Sequence, residues 1–251
     1  MSFPFNRARF FRWSAIGAGI ALVLSTSASA QSLSLDLGEG GTLTNRLVQF
    51  IALTTVLSLA PSLLMMVTSF TRIVIVLSLL RTAIGASSSP PNVVMVSLAL
   101  FMTFFVMQPV FEQAYNDGIG PLVAEKIDEA TAFERTVAPF HKFMMRHTRE
   151  KDLQLFLDLS KKPIPETKEA TPIQIVIPAF MISEIRRAFE IGFLLFIPFI
   201  VIDLVVASVL VSMGMQTLPP ATISLPFKLV FFVLVDGWHM VAGSLIQSYP
   251  T

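Results

Sequence analysis

Long apolar runs divided by prolines and by one polar stretch set the plan of this chain. Leu47 to Leu80 is apolar apart from small polar residues and a single charge, Arg72. It exceeds the roughly 20 residues of one bilayer-crossing helix, so a span with a bent or packed continuation is expected. Pro61 lies inside it, which lipid tolerates where neighbouring groups satisfy the freed carbonyl. Ser87-Ser88-Ser89-Pro90-Pro91 breaks the helix, because proline supplies no amide donor and restricts the residue before it. Val93 to Phe111 is a second candidate span. Glu190 to Leu218, interrupted by Asp203, is a third, and Ala221 to Tyr249, carrying Lys228 and Asp236, is a fourth. Pro219-Pro220 separates the last two so closely that they must form a helical hairpin.

Between the second and third runs lies the main polar region, Glu112 to Ile177. Val123, Ile127, Ala130, Phe133, Val137, Phe140 and Met144 recur at steps of three and four, a one-sided helical stripe that Pro139 should bend or divide. Lys161-Lys162-Pro163-Ile164-Pro165 is a breaker, and Ile173 to Ile177 reads either as a strand or as the lead-in to the next helix. The region is too small, with a stripe that needs covering, for an independent catalytic domain.

Composition carries the chain into a membrane: 53% of residues are hydrophobic, 14% are charged, and mean hydropathy is +0.70, against roughly a quarter charged in soluble domains. The net charge of +1, without a basic block, gives no nucleic-acid surface. The absence of cysteine excludes disulfides and thiol chemistry. At the N-terminus Arg7, Arg9 and Arg12 precede the apolar run Trp13 to Leu24 and the small residues Ala28-Ser29-Ala30. That order reads as an export signal, with cleavage expected between Ala30 and Gln31. Cleavage would place Gln31 outside, Arg81 on the inner side, the polar region outside and the Met213 to Pro220 turn inside.

Ionisable residues inside apolar segments are costly, roughly 2.5 to 3.5 kcal/mol each on insertion scales, and face protein or water. Arg72, Asp203, Lys228 and Asp236 are of this kind, as buried ion pairs that fix helix docking or as a polar path. Glu184 stands three residues before Arg187, and Arg186 four before Glu190, both helical neighbours suited to local pairs or to contacts between subunits. Enzymatic chemistry finds little footing. His141, His147 and His239 form no HExxH motif, and Gly243-Ser244 lacks the closing glycine of a nucleophile elbow. No catalytic, cofactor or metal residues are assigned. Met213-Gly214-Met215-Gln216-Thr217 differs, since methionine is flexible and polarizable, so a ring of such loops would make a compliant seal; alone, the turn also reads as ordinary hairpin packing.

Three continuous runs resemble the FliP family of the flagellar type III export gate: SFTRIVIVLSLLRTAIG (Ser69 to Gly85), PAFMISEIRRAFEIGFLLFIPFIVIDLVVASVLVSMGM (Pro178 to Met215) and LPPATISLPFKLVFFVLVDGW (Leu218 to Trp238). The resemblance implies an all-α integral membrane protein whose hairpins stack into a closed, cone-like gate standing partly above the bilayer. It implies a non-enzymatic channel subunit without cofactor. The subunit would work in several copies, a pentamer in the family, with FliQ and FliR in the export apparatus and basal body of the bacterial inner membrane, passing unfolded flagellar substrates. The family's methionine gasket maps onto Met215, Gln216 and Thr217, two of which are polar here, leaving Met213 or a partner to contribute.

The expected division is a signal at residues 1–30, an exported polar segment at 31–46, a first helical pair at 47–111, the polar helical region at 112–177, and a second hairpin at 178–251 with its gate turn at 213–220. Two alternatives follow. One is an injectisome-type gate subunit, against which the cleavable signal argues. The other, of a different class, is a small-solute or ion transporter with Asp203, Asp236 and Lys228 as a relay.

Overall fold

The computed structural model describes residues 43–86, 89–160, 167, 170–215 and 217–249. The signal at 1–30, its junction at Ala30 and Gln31, and Gln216 of the turn lie outside them. Residues 55–251 form one compact unit; of the other, only 43–54, at the start of the first helix, is described. The described residues are helical and contain no strand, in keeping with the all-α expectation. Helices α1 (Leu43–Met66), α2 (Phe70–Ile84) and α3 (Asn92–Ala114) precede a π-helical turn at Tyr115–Ile119 and the short α4 (Gly120–Val123). There follow α5 (Glu129–His147), α6 (Glu150–Ser160), the long α7 (Ile173–Ser212), α8 (Pro220–Leu234) and α9 (Gly237–Gln247).

The continuation expected within Leu47 to Leu80 is a break followed by a new helix. Thr68 and Ser69 are buried at the break, where Thr68 Oγ1 accepts from the Phe70 amide at 3.4 Å and Thr71 Oγ1 donates to the Met65 carbonyl at 3.3 Å. These hydroxyls serve backbone groups that the helix interruption would otherwise leave unmet. Beyond it, α2 buries Ile73, Val76, Leu77, Leu80 and Ile84, a stripe at helical spacing. It ends where Gly85, at φ 86°, returns its amide to the Thr82 carbonyl at 3.0 Å.

Around α2 the core gathers Ala99 and Met102 of α3, Ala188 and Phe199 of α7, Phe232 of α8 and Leu245 of α9. Gly192 lets α7 approach α2, since a Cβ there would stand 2.3 Å from Leu79 Cδ1. The third span begins earlier than its charges suggested: α7 runs unbroken for 40 residues from Ile173, about 60 Å, so Ile173 to Ile177 is its first turns and not a strand. The fourth is broken. α8 and α9 meet at 64°, with Asp236 in the left-handed region at φ 51° and Gly237 pressed against the Phe232 ring.

The polar region packs on the same unit through Phe143 and Met144 of α5, which join Val106, Met107, Val176, Phe180 and Tyr249 in a second core. The stripe is not one helix. A turn at 124–128 divides it, and Asp128 then caps α5, accepting from the Thr131 amide at 3.3 Å and hydroxyl at 2.6 Å. Those bonds hold the Asp128 carboxyl below its usual range. Pro139 does not divide α5, whereas Val123 and Phe133, expected to be covered, are 76% and 70% exposed. Two helical stretches, Asn92–Val123 and Ile173–Ser212, are long and apolar enough to cross a membrane, and the bent α8–α9 pair would make a third.

Candidate functional site

The ionisable residues expected inside the apolar segments are mostly paired, and the pairs tie distant parts of the sequence together. Arg72 of α2 and Glu184 of α7 are both wholly buried and form a bidentate pair through one guanidinium edge, Nη2 donating to Glu184 Oε1 and Nε to Glu184 Oε2 at 2.9 Å. The remaining guanidinium nitrogen, Nη1, donates to the Ser248 carbonyl at 3.1 Å and hydroxyl at 2.9 Å, and the group lies 3.9 Å over the Tyr249 ring. Tyr249 donates its phenolic proton to Glu184 and lies within 3.4 Å of the Ser69 carbonyl. A fork-shaped cation, a carboxylate and a phenol thus satisfy one another where no water is needed.

The second cluster closes the hairpin. Lys228 Nζ on α8 donates to Asp203 Oδ2 on α7 at 2.7 Å and to the Ala83 carbonyl in the last turn of α2 at 3.1 Å. Ser224 donates to Asp203 Oδ1 at 2.6 Å. An ammonium at the carbonyl end of α2 is also favoured by that helix's dipole. The third cluster anchors α6. Ser183 accepts from the Arg149 amide at 3.0 Å and donates to Asp152 at 2.6 Å, while Arg149 reaches Asp152 at 3.3 Å. Arg81 links the ends of α2 and α3 by donating to Asn92 Oδ1 at 2.6 Å.

Two expectations about charge need correction. Arg186 pairs with Glu190 at 2.9 Å as its spacing required, but Glu184 turns inward to Arg72 instead of to Arg187, because burial leaves a carboxylate no tolerable choice but the buried guanidinium. Arg187 is exposed and makes no ion pair or hydrogen bond among the described residues. Asp236 is exposed at the α8–α9 break, without a partner among the described residues, since the bend removes it from the helix interior. It does not join Asp203 and Lys228. Sequence reasoning missed Tyr249, Ser248, Ser224, Ser183 and Asp152, whose short-range pattern carries no sign of their long-range partners.

The turn between α7 and α8 is a glycine-capped helix end. Gly214, at φ 72°, donates to the Val211 carbonyl at 3.0 Å, and the Met215 amide reaches back to the Leu210 carbonyl at 2.9 Å, the paired bonds of a Schellman motif. Nothing lies within 4 Å of a Cβ built on Gly214. The motif's hydrophobic pair, Leu210 and Met215, opens onto an apolar cavity of about 630 Å³ between α7 and α8, lined also by Val205, Val209, Met213 and Phe227. Met213 is 65% exposed and Met215 40%, and Thr217 is exposed beside them. Local geometry therefore presents two exposed thioether side chains, of an intrinsically flexible type, at the tip of an apolar hairpin. Among the described residues no group of three His, Asp or Glu side chains is placed to hold a metal.

These features define a class: an all-α, membrane-embedded protein whose buried charges serve to dock helices and whose hairpin ends in an exposed, methionine-bearing turn. The FliP family model matches residues 53–245, from α1 through most of α9. The chain is similar to the flagellar biosynthetic protein FliP of Caulobacter vibrioides, 58% identical over 94% of this chain and 89% of that protein. It is similar also to those of Rhizobium meliloti, 49% identical over 91% and 95%, and Bacillus subtilis, 50% identical over 80% and 91%. The chain belongs to the FliP family.

Proposed function

We propose that this protein is a core channel subunit of the flagellar type III export gate, a non-catalytic component through which unfolded flagellar building blocks leave the cell. Family membership across nearly the whole described chain carries the reading. In it, five copies assemble with FliQ and FliR in the inner membrane at the flagellar basal body, after removal of residues 1–30. The polar helices α5 and α6 lie on the outer side. The Met213 to Thr217 turns converge from several copies to seal the closed channel, with Met213 and Met215 as the compliant surface and Gln216 and Thr217 as polar members.

The supporting observation is the combination of an exposed turn and unpartnered apolar helix faces. Phe101, Phe104, Phe193, Leu194, Leu204 and Val233 are 62–75% exposed, more apolar surface than a lone subunit presents to water. The relay reading has less support, because Lys228 is held by Asp203 and the Ala83 carbonyl while Asp236 stands apart. Deletion of the gene is expected to abolish flagellin export and swimming without loss of membrane potential. Shortening residues 213–217 is expected to leave complex levels intact and to admit small toxic solutes. A filament-bearing deletion strain would sink the export reading, and a shortened turn as tight as the parent would move the seal elsewhere.

A further inference from the structure

Charges on the helices that form the apolar body leave two side chains over. On α2, α3, α7, α8 and α9, every residue of which is described, Arg72 is matched by Glu184, Lys228 by Asp203, and Arg186 by Glu190. Arg81 donates to Asn92, and Glu112 accepts from Gln108 at 2.9 Å. Arg187 of α7 and Asp236, at the junction of α8 and α9, have no such partner among the described residues. One is a cation and the other an anion. Within one chain they stand apart: Arg187 lies one turn from Glu184, which Tyr249 bonds just past the end of α9, whereas Asp236 begins that helix, whose 11 residues span about 16 Å.

Neither charge has a local task. Asp236 accepts no capping bond from α9, and its left-handed backbone suits asparagine or glycine equally, so the turn does not call for a carboxylate. Around it Val233, Leu234 and Trp238 are 75%, 79% and 40% exposed. A cover that buries these side chains also withdraws Asp236 from water, and a carboxylate tolerates that beside a cation, which lipid tails do not supply. Arg187 offers the complement, with Leu194, 65% exposed, seven residues on along the same face of α7. We propose that the α8–α9 corner docks a second copy of this chain, with Asp236 of one copy accepting from Arg187 of the next. Two different patches meet, so the contact is head-to-tail and can link more than two copies. The inference rests on the multi-copy reading of the protein and is independent of the gate turn.

The test uses the full chain in neutral detergent, with the number of associated copies followed by native mass spectrometry over a dilution series. R187Q and D236N, both at exposed positions, should each raise the concentration of half-association about thirtyfold. R187Q/D236N should be no worse than either alone, since the singles break the same pair. K151Q, which removes an exposed cation of α6, should change it less than twofold. The chain has no cysteine, so differently tagged R187C and D236C chains, co-expressed, can be joined by a short bismaleimide at these positions alone. Cross-links should unite the two kinds of chain and not two of one kind. Like-to-like cross-links, or capture of D236C chiefly by another membrane protein, overturn the proposal, as does additive weakening in the double variant. An associating parent that R187Q and D236N leave unchanged overturns this contact alone, whereas a parent that stays monomeric overturns the multi-copy reading with it.

Discussion

Glu184→Ala tests whether the buried charges act as structure. The substitution removes the partner of a guanidinium that has no solvent contact and leaves Arg72 with only Ser248 and the Tyr249 ring. Breaking a buried pair from one side costs about 3 to 5 kcal/mol, against a total stability on the order of 5 to 15 kcal/mol for a typical domain. The variant is expected to accumulate poorly and to unfold at lower denaturant concentration. Arg72→Met should do comparable harm, because it strands the carboxylate. Combining it with Glu184→Met removes both charges and their desolvation together, so the double variant should recover much of the loss. Tyr249, which can still donate to the Ser69 carbonyl, keeps the remaining deficit near about 1 to 2 kcal/mol. Denaturant titration of the four proteins in one detergent yields the coupling as a double-mutant cycle, and export is read alongside membrane levels. If the double variant is as unstable as the sum of the singles, the pair is not an energetic unit. If Glu184→Ala assembles at parental levels yet blocks export, the carboxylate acts in transport.

Asp203→Asn and Asp236→Asn should separate. The first leaves Lys228, 6% exposed, without its counter-charge and should cost about 2 kcal/mol, while the second, at an exposed left-handed position that asparagine tolerates, should stay within about 0.5 kcal/mol in the same unfolding assay. His147 should impose an acid limb on stability. Burial first, then the charges of Arg72, Arg146 and Arg187, lower its pKa from 6.5 to about 4. The folded protein keeps the ring neutral where the unfolded chain takes up a proton. Stability from this group is thus complete above pH 6.5 and falls as pH drops toward 4. The fall is about 2 kcal/mol after allowance for solvent screening of the exposed arginines. Unfolding measured between pH 4 and 8 should show that limb, and His147→Gln should flatten it; an unchanged slope in the variant assigns the titration to other groups.

What could be read from the chain divides along the range of the interactions. The hairpin turn was legible because its determinants are local: Pro219-Pro220 forbids a continuous helix, and Gly214 supplies the one residue that closes α7 at no steric penalty. The helical class was legible from long apolar runs, but helix ends were placed by charge, which misled at α7. Glu184, Arg186 and Arg187 stand just before the apolar run that starts at Glu190 and so read as lying outside the span. They lie within the first half of a 40-residue helix, because Arg72, over a hundred positions away, neutralises the buried one, while Arg186 pairs with Glu190 at the surface and solvent takes Arg187. The break at Thr68-Ser69 was hidden for the opposite reason, since small hydroxyls pass unnoticed in an apolar run until the bonds of Thr68 to the Phe70 amide and of Thr71 to the Met65 carbonyl are seen.

The exposed side chains mark a third kind of information. Val123 and Phe133 continue a helical stripe that the isolated fold does not cover, and Phe104, Phe193 and Val233 extend apolar faces into open space. Periodicity identifies a face that must be buried; it does not say whether the cover is the same chain, lipid or another subunit. Where the face lies along Asn92–Val123 or Ile173–Ser212, a bilayer suffices. Phe133 sits on α5, among Glu129, Glu134 and Arg135, where lipid tails would strand charges. An apolar face flanked by charges matches the anatomy of a protein interface with a polar rim, so the polar region is a second place where contact between subunits should be sought.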